Sequence, residues 1–233
     1  EAHLFKAQTL KGILEKMKTT AIRIGTTGTL DGSEVHRLQL EGLFGPVKKV
    51  ITSKELMDSG TIANLKIDCI ILRHTKQKKM TYQEEMDYLV GNDSRNQFIT
   101  NLVGSLRGNT LVLFQYIEKH GQPLWEMFNP MVGRMNGTLH YVHGGTDTED
   151  RETVREIVDS PRKKKNNVIL ASYGTFSTGI NIKKIDNVVF ASPSKSRIRH
   201  LQSIGRGLRK TTGKNEMRLL IVEVQHWGGD NVY

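Results

Sequence analysis

Apolar residues at Leu10, Ile13, Leu14 and Met17 follow the i, i+3, i+4, i+7 spacing and predict an opening helix with one buried face. The chain then turns polar and glycine-rich in AIRIGTTGTLDG, which reads as a short strand running into a functional loop. After Pro46 and a less regular stretch, short apolar runs alternate with helical patterns. The runs are KIDCIIL, NTLVLF, TLHYV, NVILA, NVVFA and MRLLIVEV. One helical pattern carries Phe98, Leu102 and Leu106. Another, GTDTEDRETVREIVDSP, has a capping-box signature at Thr146 and Glu149, apolar Val154, Ile157 and Val158 on one face, and a stop at Pro161. The glycine-rich SYGTFSTGINIKK between NVILA and NVVFA reads on its own as a turn. This alternation predicts an α/β fold with a mostly parallel sheet flanked by helices on both faces, and chemistry in the loops at the carboxyl ends of the strands. A boundary between the N-terminal piece and this lobe falls within residues 46–66.

Charge narrows the choice of partner. Thirty-four Lys+Arg against 24 Asp+Glu give a formal charge of +10 over 233 residues, which suits a polyanion such as nucleic acid or nucleotide phosphates. The single cysteine, Cys69, excludes an internal disulfide and a cysteine cluster for zinc, and in DCIIL it reads as a buried thiol. No apolar run approaches the roughly 20 residues of a membrane helix, and the N-terminus lacks a basic-then-apolar signal pattern. The expectation is an intracellular, cytoplasmic protein with no membrane partner. The first residue is Glu1, so the chain is expected to continue upstream.

Candidate chemistry is densest in HLQSIGRGLRK, His200 to Lys210. At about 100° per residue, a helix there puts Leu201, Ile204 and Leu208 on one face and Gln202, Arg206 and Arg209 on another. Two guanidiniums on one face form a fork for phosphate oxygens, and Gly205 and Gly207 remove side chains that would obstruct a close approach. A solvated surface helix would explain the charge but neither glycine nor Gln202. A phosphate-cradling G-x-x-x-x-G-K-[ST] loop is absent from the sequence: TTGKN ends on asparagine.

Q-x-x-G-R-x-x-R, read as Gln202, Gly205, Arg206 and Arg209, resembles motif VI of the superfamily 2 helicases and translocases. GTFSTGINI, with Thr175, Gly179 and Asn181, resembles motif V in the expected place upstream. LVLFQY resembles motif IV, YVHGG the strand end between them, and GTTGTLDG, holding Thr27, Gly28 and Thr29, motif III. Glu1-Ala2-His3 is similar to the last three letters of the D-E-A-H motif. In detail the pattern is most similar to the UvsW-type recombination helicases of T-even phages, themselves similar to branch-migration enzymes and restriction translocases.

The resemblance implies a RecA-like lobe at 67–233, preceded by the end of a first RecA-like lobe at 1–45. It implies an ATP-dependent helicase or translocase that unwinds or branch-migrates branched DNA in recombination, replication or repair. Glu1 would polarise the attacking water, and His3, Thr27, Gly28 and Thr29 would couple the nucleotide and DNA sites. Arg206 and Arg209 would act as fingers on the γ-phosphate, with Gln202, Gly205, Gly179 and Asn181 near ATP and Thr175 near the DNA backbone. ATP and Mg²⁺ would be held mainly by first-lobe residues outside this sequence, so no metal ligand is expected within it and these residues alone are expected to be inactive. Resemblance favours DNA, branched or duplex, with an RNA–DNA hybrid also compatible; in a phage the setting would be the host cytoplasm.

Of the basic runs, Lys195, Arg197 and Arg199, with His200, follow a strand beside the arginine helix and read as a phosphate contact. Arg162 to Lys165 precedes a strand and reads as a solvated loop, and HTKQKKMTY allows either role. Aromatic residues are 6% of the chain and do not interleave with these runs, so the expected grip is on the backbone and sensitive to salt. A nucleic-acid-binding module without catalysis is the alternative reading.

Overall fold

The computed structural model describes residues 2, 5, 8–28, 30, 33–75, 80–135, 137–160, 166–179, 181–194 and 196–226. All six apolar runs become strands: β1 Asn64–His74, β2 Thr110–Phe114, β3 Leu139–Val142, β4 Val168–Ser172, β5 Asn187–Phe190 and β6 Glu216–His226. They form one sheet in the order β1-β6-β5-β2-β4-β3. Every pairing in it is parallel. β2, β4 and β5 are buried along their whole length, which is why they read as continuous apolar runs and not as alternating ones.

Ten α-helices are assigned among the described residues, α1 to α10: Gln8–Lys16, Glu34–Phe44, Ser53–Asp58, Tyr82–Val90, Asp93–Ser105, Gln122–Phe128, Val132–Met135, Thr148–Asp159, Tyr173–Gly179 and Arg197–Gly207. One face of the sheet presents Leu111, Ile169, Val188 and Leu219 to Val158 of α8, Phe176 of α9 and Leu208. The other presents Val112, Leu170, Val189 and Leu220 to Ile99 and Val103 of α5 and to Leu124 and Phe128 of α6. The central strands thus have apolar cover on both sides, and their carboxyl ends lead into Gln115, α9 and the Ser192–Ser196 approach to α10.

Several expectations change. The GTFSTG stretch is helical, as α9, and not a turn. Ala2 donates its amide to the carbonyl of Thr26 (2.9 Å), but no strand forms at 21–28, where Ile22 and Ile24 are 76% and 81% exposed. α1 forms where predicted, yet Ile13 faces solvent, so its apolar face is not covered as expected. At the start of α8 the N-cap is Asp147, without a side-chain cap; Thr146 Oγ1 instead accepts from the amide of His143, which removes the capping box. β1 is an edge strand whose Ile67, Cys69 and Ile71 are exposed, so the thiol is not buried. Asn64–Lys66, the end of the expected boundary segment, already belong to β1. The run Arg162 to Lys165, Pro161 and residues 76–79 lie outside the described residues.

Candidate nucleotide and nucleic-acid interface

Helix α10 begins at Ser196, whose hydroxyl accepts from the amide of Arg199, and ends at Gly207 with Leu208 as C-cap. The buried side is made by Ser203, Gly207 and Leu208 with half-buried Ile204, whereas Leu201, expected on the packed face, is 40% exposed. Gly207 lies so close to the sheet that a Cβ there would overlap Met217 Sδ and crowd Val188, so this glycine serves helix-to-sheet packing and not ligand approach. Gly205 is the open one: nothing lies within 4 Å of the Cβ it lacks.

Arg206 is half-buried, with its guanidinium carbon 6.0 Å from the ring centre of Phe176 on α9, within cation–π range. The motif V and motif VI segments therefore meet at this arginine, which lies on the same helix as the half-buried Gln202. Arg209 does not share the helical face as expected, because the helix stops before it. It pairs instead as an isolated antiparallel bridge with Ile62, flanked by the amide of Ala63 donating to Leu208 O (2.9 Å) and Lys210 Nζ donating to Gly60 O (2.8 Å). Lys214 Nζ donates to the carbonyl of Gly207, and burial lowers its pKa to about 8 against the opposing pull of Asp186 and Asp159.

Thr175 is 5% exposed, and its Oγ1 lies 2.8 Å from Ser172 Oγ, so the side chain fastens the start of α9 and is withdrawn from the surface where a backbone contact was expected. Gly174 beside it is exposed. Gly179 ends α9 and Asn181 is exposed. Thr27 is half-buried and Gly28 exposed. Arg199 donates Nη1 to Gln115 Oε1 (2.7 Å) and lies 5.9 Å from the Tyr173 ring, joining the end of β2 to the start of α10. Glu1, His3, Thr29 and Lys195 lie outside the described residues, as does the side chain of Arg197.

A buried polar cluster under these loops escaped the sequence reading. Arg95, 1% exposed, donates Nη2 to Ala191 O (2.7 Å) and Val222 O (3.2 Å), tying the end of β5 and the middle of β6 to α5; burial lowers its pKa to about 10. His120 places Nδ1 2.7 Å from Ser192 Oγ and Nε2 3.0 Å from Asn96 Oδ1. Asn96 gives its amino group to Val90 O, so its Oδ1 must accept from His120 Nε2–H; Nδ1 then accepts from the Ser192 hydroxyl, which itself accepts from the amide of Gln115. The imidazole is neutral, and burial first, then Arg95, pushes its pKa down to about 3. The signal was available: Arg95, Ile99 and Val103 share one face at i, i+4, i+8, a charge in line with a buried stripe.

Guanidiniums, an open glycine and exposed loop backbone suit phosphate oxygens. Among the described residues no group of three or more His, Cys, Asp or Glu gathers as a metal site, and no helix is long and apolar enough to cross a membrane.

Residues 94–211 match the helicase conserved C-terminal domain. The chain is 34% identical over 222 residues to the ATP-dependent DNA helicase uvsW of Enterobacteria phage T4, covering 92% of this chain and 43% of that protein. The crystal structure of T4 UvsW superposes with a TM-score of 0.58 at 30% identity, over 83% of this chain and 38% of that one. A fragment described as the HsdR subunit of a type I restriction enzyme from Vibrio vulnificus YJ016 superposes with a TM-score of 0.69 at 16% identity, over 93% and 42%, a likeness of fold. The chain thus spans less than half the length of these relatives. Family match, parallel sheet and ordered motifs agree, and the chain belongs to the superfamily 2 helicases, whose conserved C-terminal domain it carries.

Proposed function

We propose that residues 67–233 act as the second RecA-like lobe of an ATP-dependent DNA helicase or translocase that unwinds or branch-migrates branched DNA inside the cell, in the host cytoplasm if the protein is a phage's. Residues 1–45 would then be the end of the first lobe and 46–66 the link between them. The observation that carries this reading is the meeting of α9 and α10 at Arg206, which gives one arginine access to both the segment expected near DNA and the segment expected near ATP.

ATP supplies the phosphoryl group and Mg²⁺ its charge neutralisation, both held mainly by residues outside this sequence. Arg206 sets positive charge toward the γ-phosphate, Arg209 adds to it from the seam with Ile62, and Gln202, Gly205, Gly179 and Asn181 line the approach. Glu1 orients the attacking water, while His3, Thr27, Gly28 and Thr29 carry the coupling between sites. Arg199, with Lys195 and Arg197, grips the DNA backbone, and Thr175 positions the loop that senses it.

The test joins residues 1–233 to the reading frame upstream of Glu1. A phosphate-binding loop there, DNA-stimulated ATP hydrolysis by the joined protein and none by residues 1–233 alone are the expected results. DNA binding without ATP turnover in the joined protein would favour a binding module and overturn the motor assignment.

A further inference from the structure

A cavity of about 190 Å³ opens between α4, the carboxyl end of β5 and the middle of β6, walled mainly by Tyr82, Met86, Phe190 and His200, with Glu85 and Glu223 also on its lining. His200 stacks on Phe190 with ring centres 4.7 Å apart and planes 21° from parallel. Its Nε2 is buried and has no hydrogen-bond partner among the described residues. A buried polar atom without a partner is costly, and because this one has almost no exposed area the ring must turn to bring it to a ligand in the slot, which relieves that cost.

The slot continues into a second cavity that shares Tyr82, Met86, Pro193 and Ser194 and adds Gln115, Ser196 and Arg199. There the character changes from apolar to cationic. Arg199 uses Nη1 on Gln115, and the rest of its five-donor fork makes no other hydrogen bond among the described residues. An aromatic, largely apolar pocket opening onto a guanidinium has the chemistry of a base joined to its phosphate.

We infer that this pocket takes one unstacked nucleobase of the bound DNA strand, with the adjoining phosphate on Arg199. The inference rests on the DNA-binding reading above and extends it, since a grip confined to the backbone leaves the pocket and the His200 nitrogen unused. Burial first, then Arg199, lowers the pKa of His200, so the ring stays neutral near pH 7 and Nε2 either donates or accepts. That lets it meet the edge of any base, in keeping with binding indifferent to sequence. The aromatic walls come from α4, β5 and α10, far apart in the chain, which is why no basic run shows interleaved aromatics.

The experiment compares the affinity of the full chain, at low salt, for oligo(dT) and for an abasic deoxyribose-phosphate oligomer of equal length. The expected result is about tenfold tighter binding of oligo(dT), in the range of one stacked base. Tyr82→Ala, which removes a rim, and Ile221→Phe, which fills the slot, should each bring that ratio toward one, with cooperative thermal unfolding confirming the fold. If one variant fails to fold, the other decides. Equal affinity of the unaltered chain for both oligomers, or an unchanged ratio in folded variants, overturns the pocket assignment while leaving the backbone grip in place. Binding of neither oligomer overturns the DNA-binding reading itself.

Discussion

The N-terminal segment and the sheet lobe carry apolar residues at similar helical spacing, with opposite outcomes. In α8, Val158 is 2% exposed against the sheet although Ile157, expected on the same face, is 40% exposed; Ile13 of α1 and Val35 and Leu38 of α2 are 53%, 68% and 61% exposed, while α2 buries Leu40 and Leu43 on its other side. Both are amphipathic, but one has a sheet to lie on. Periodicity identifies the face that is ready to be buried; it does not say whether the surface that buries it lies in the same chain. If residues 1–45 end a first lobe, its missing sheet is what Ile22 and Ile24 would pair beside.

The contrast can be broken most severely at the interface. If chemistry depends on the lobe's arginine helix, Arg206→Ala in the joined protein should lower DNA-stimulated ATP turnover by on the order of 10³ to 10⁵, with little change in DNA affinity. Arg206→Lys should also fail, because a point charge on a flexible stem does not replace a planar fork. Steady-state turnover and fluorescence anisotropy on the same samples check both, and near-normal turnover would return this helix to ordinary surface.

A second probe compares cores. Phe128 is fully buried, and Phe128→Ala should cost about 3–5 kcal/mol in denaturant unfolding. A pH titration sharpens the same point. His120 is held neutral in the fold, with its pKa near 3 against 6.5 for the free side chain. The unfolded chain takes up that proton first, so stability should fall as pH drops from about 6.5 toward 3, at up to about 1.4 kcal/mol per unit. Melting temperatures of His120→Gln should show a shallower decline over that window. The smallest effect belongs to the N-terminal segment: Ile24→Ala should change the stability of residues 1–233 by no more than about 0.5 kcal/mol. In the joined protein the same change should cost about 2–5 kcal/mol if a first-lobe sheet covers it.

The strands were legible because each contains a run of β-branched and aliphatic residues, and in β2, β4 and β5 burial along the whole strand left no competing pattern. α9 was not, because Gly174, Ser177, Thr178 and Gly179 disfavour a helix locally; it forms where Ser172 fastens Thr175 and Phe176 fills the core. Motif spacing singles out Arg206 as a candidate but does not show the break that takes Arg209 off the helix, which follows from Gly207 packing on Met217 and Leu208 turning to meet Ala63. Cys69 was misjudged because DCIIL looks alike in a central strand and at an edge, and strand order is a long-range property. Arg95 was passed over because a charged residue early in a helix is ordinarily solvated.

The seam between residues 60–63 and 208–210 has a mechanical meaning. Three links in a short span, Ala63 to Leu208, Ile62 to Arg209 and Gly60 to Lys210, splice the strand leading into β1 onto the end of the arginine helix. Gly60, at φ +68°, provides the left-handed bend that the splice requires. Because Leu208 belongs to the core beneath the sheet and Ile62 packs against it, a pull on the chain ahead of β1 is delivered to Arg209 and to the body of the lobe together.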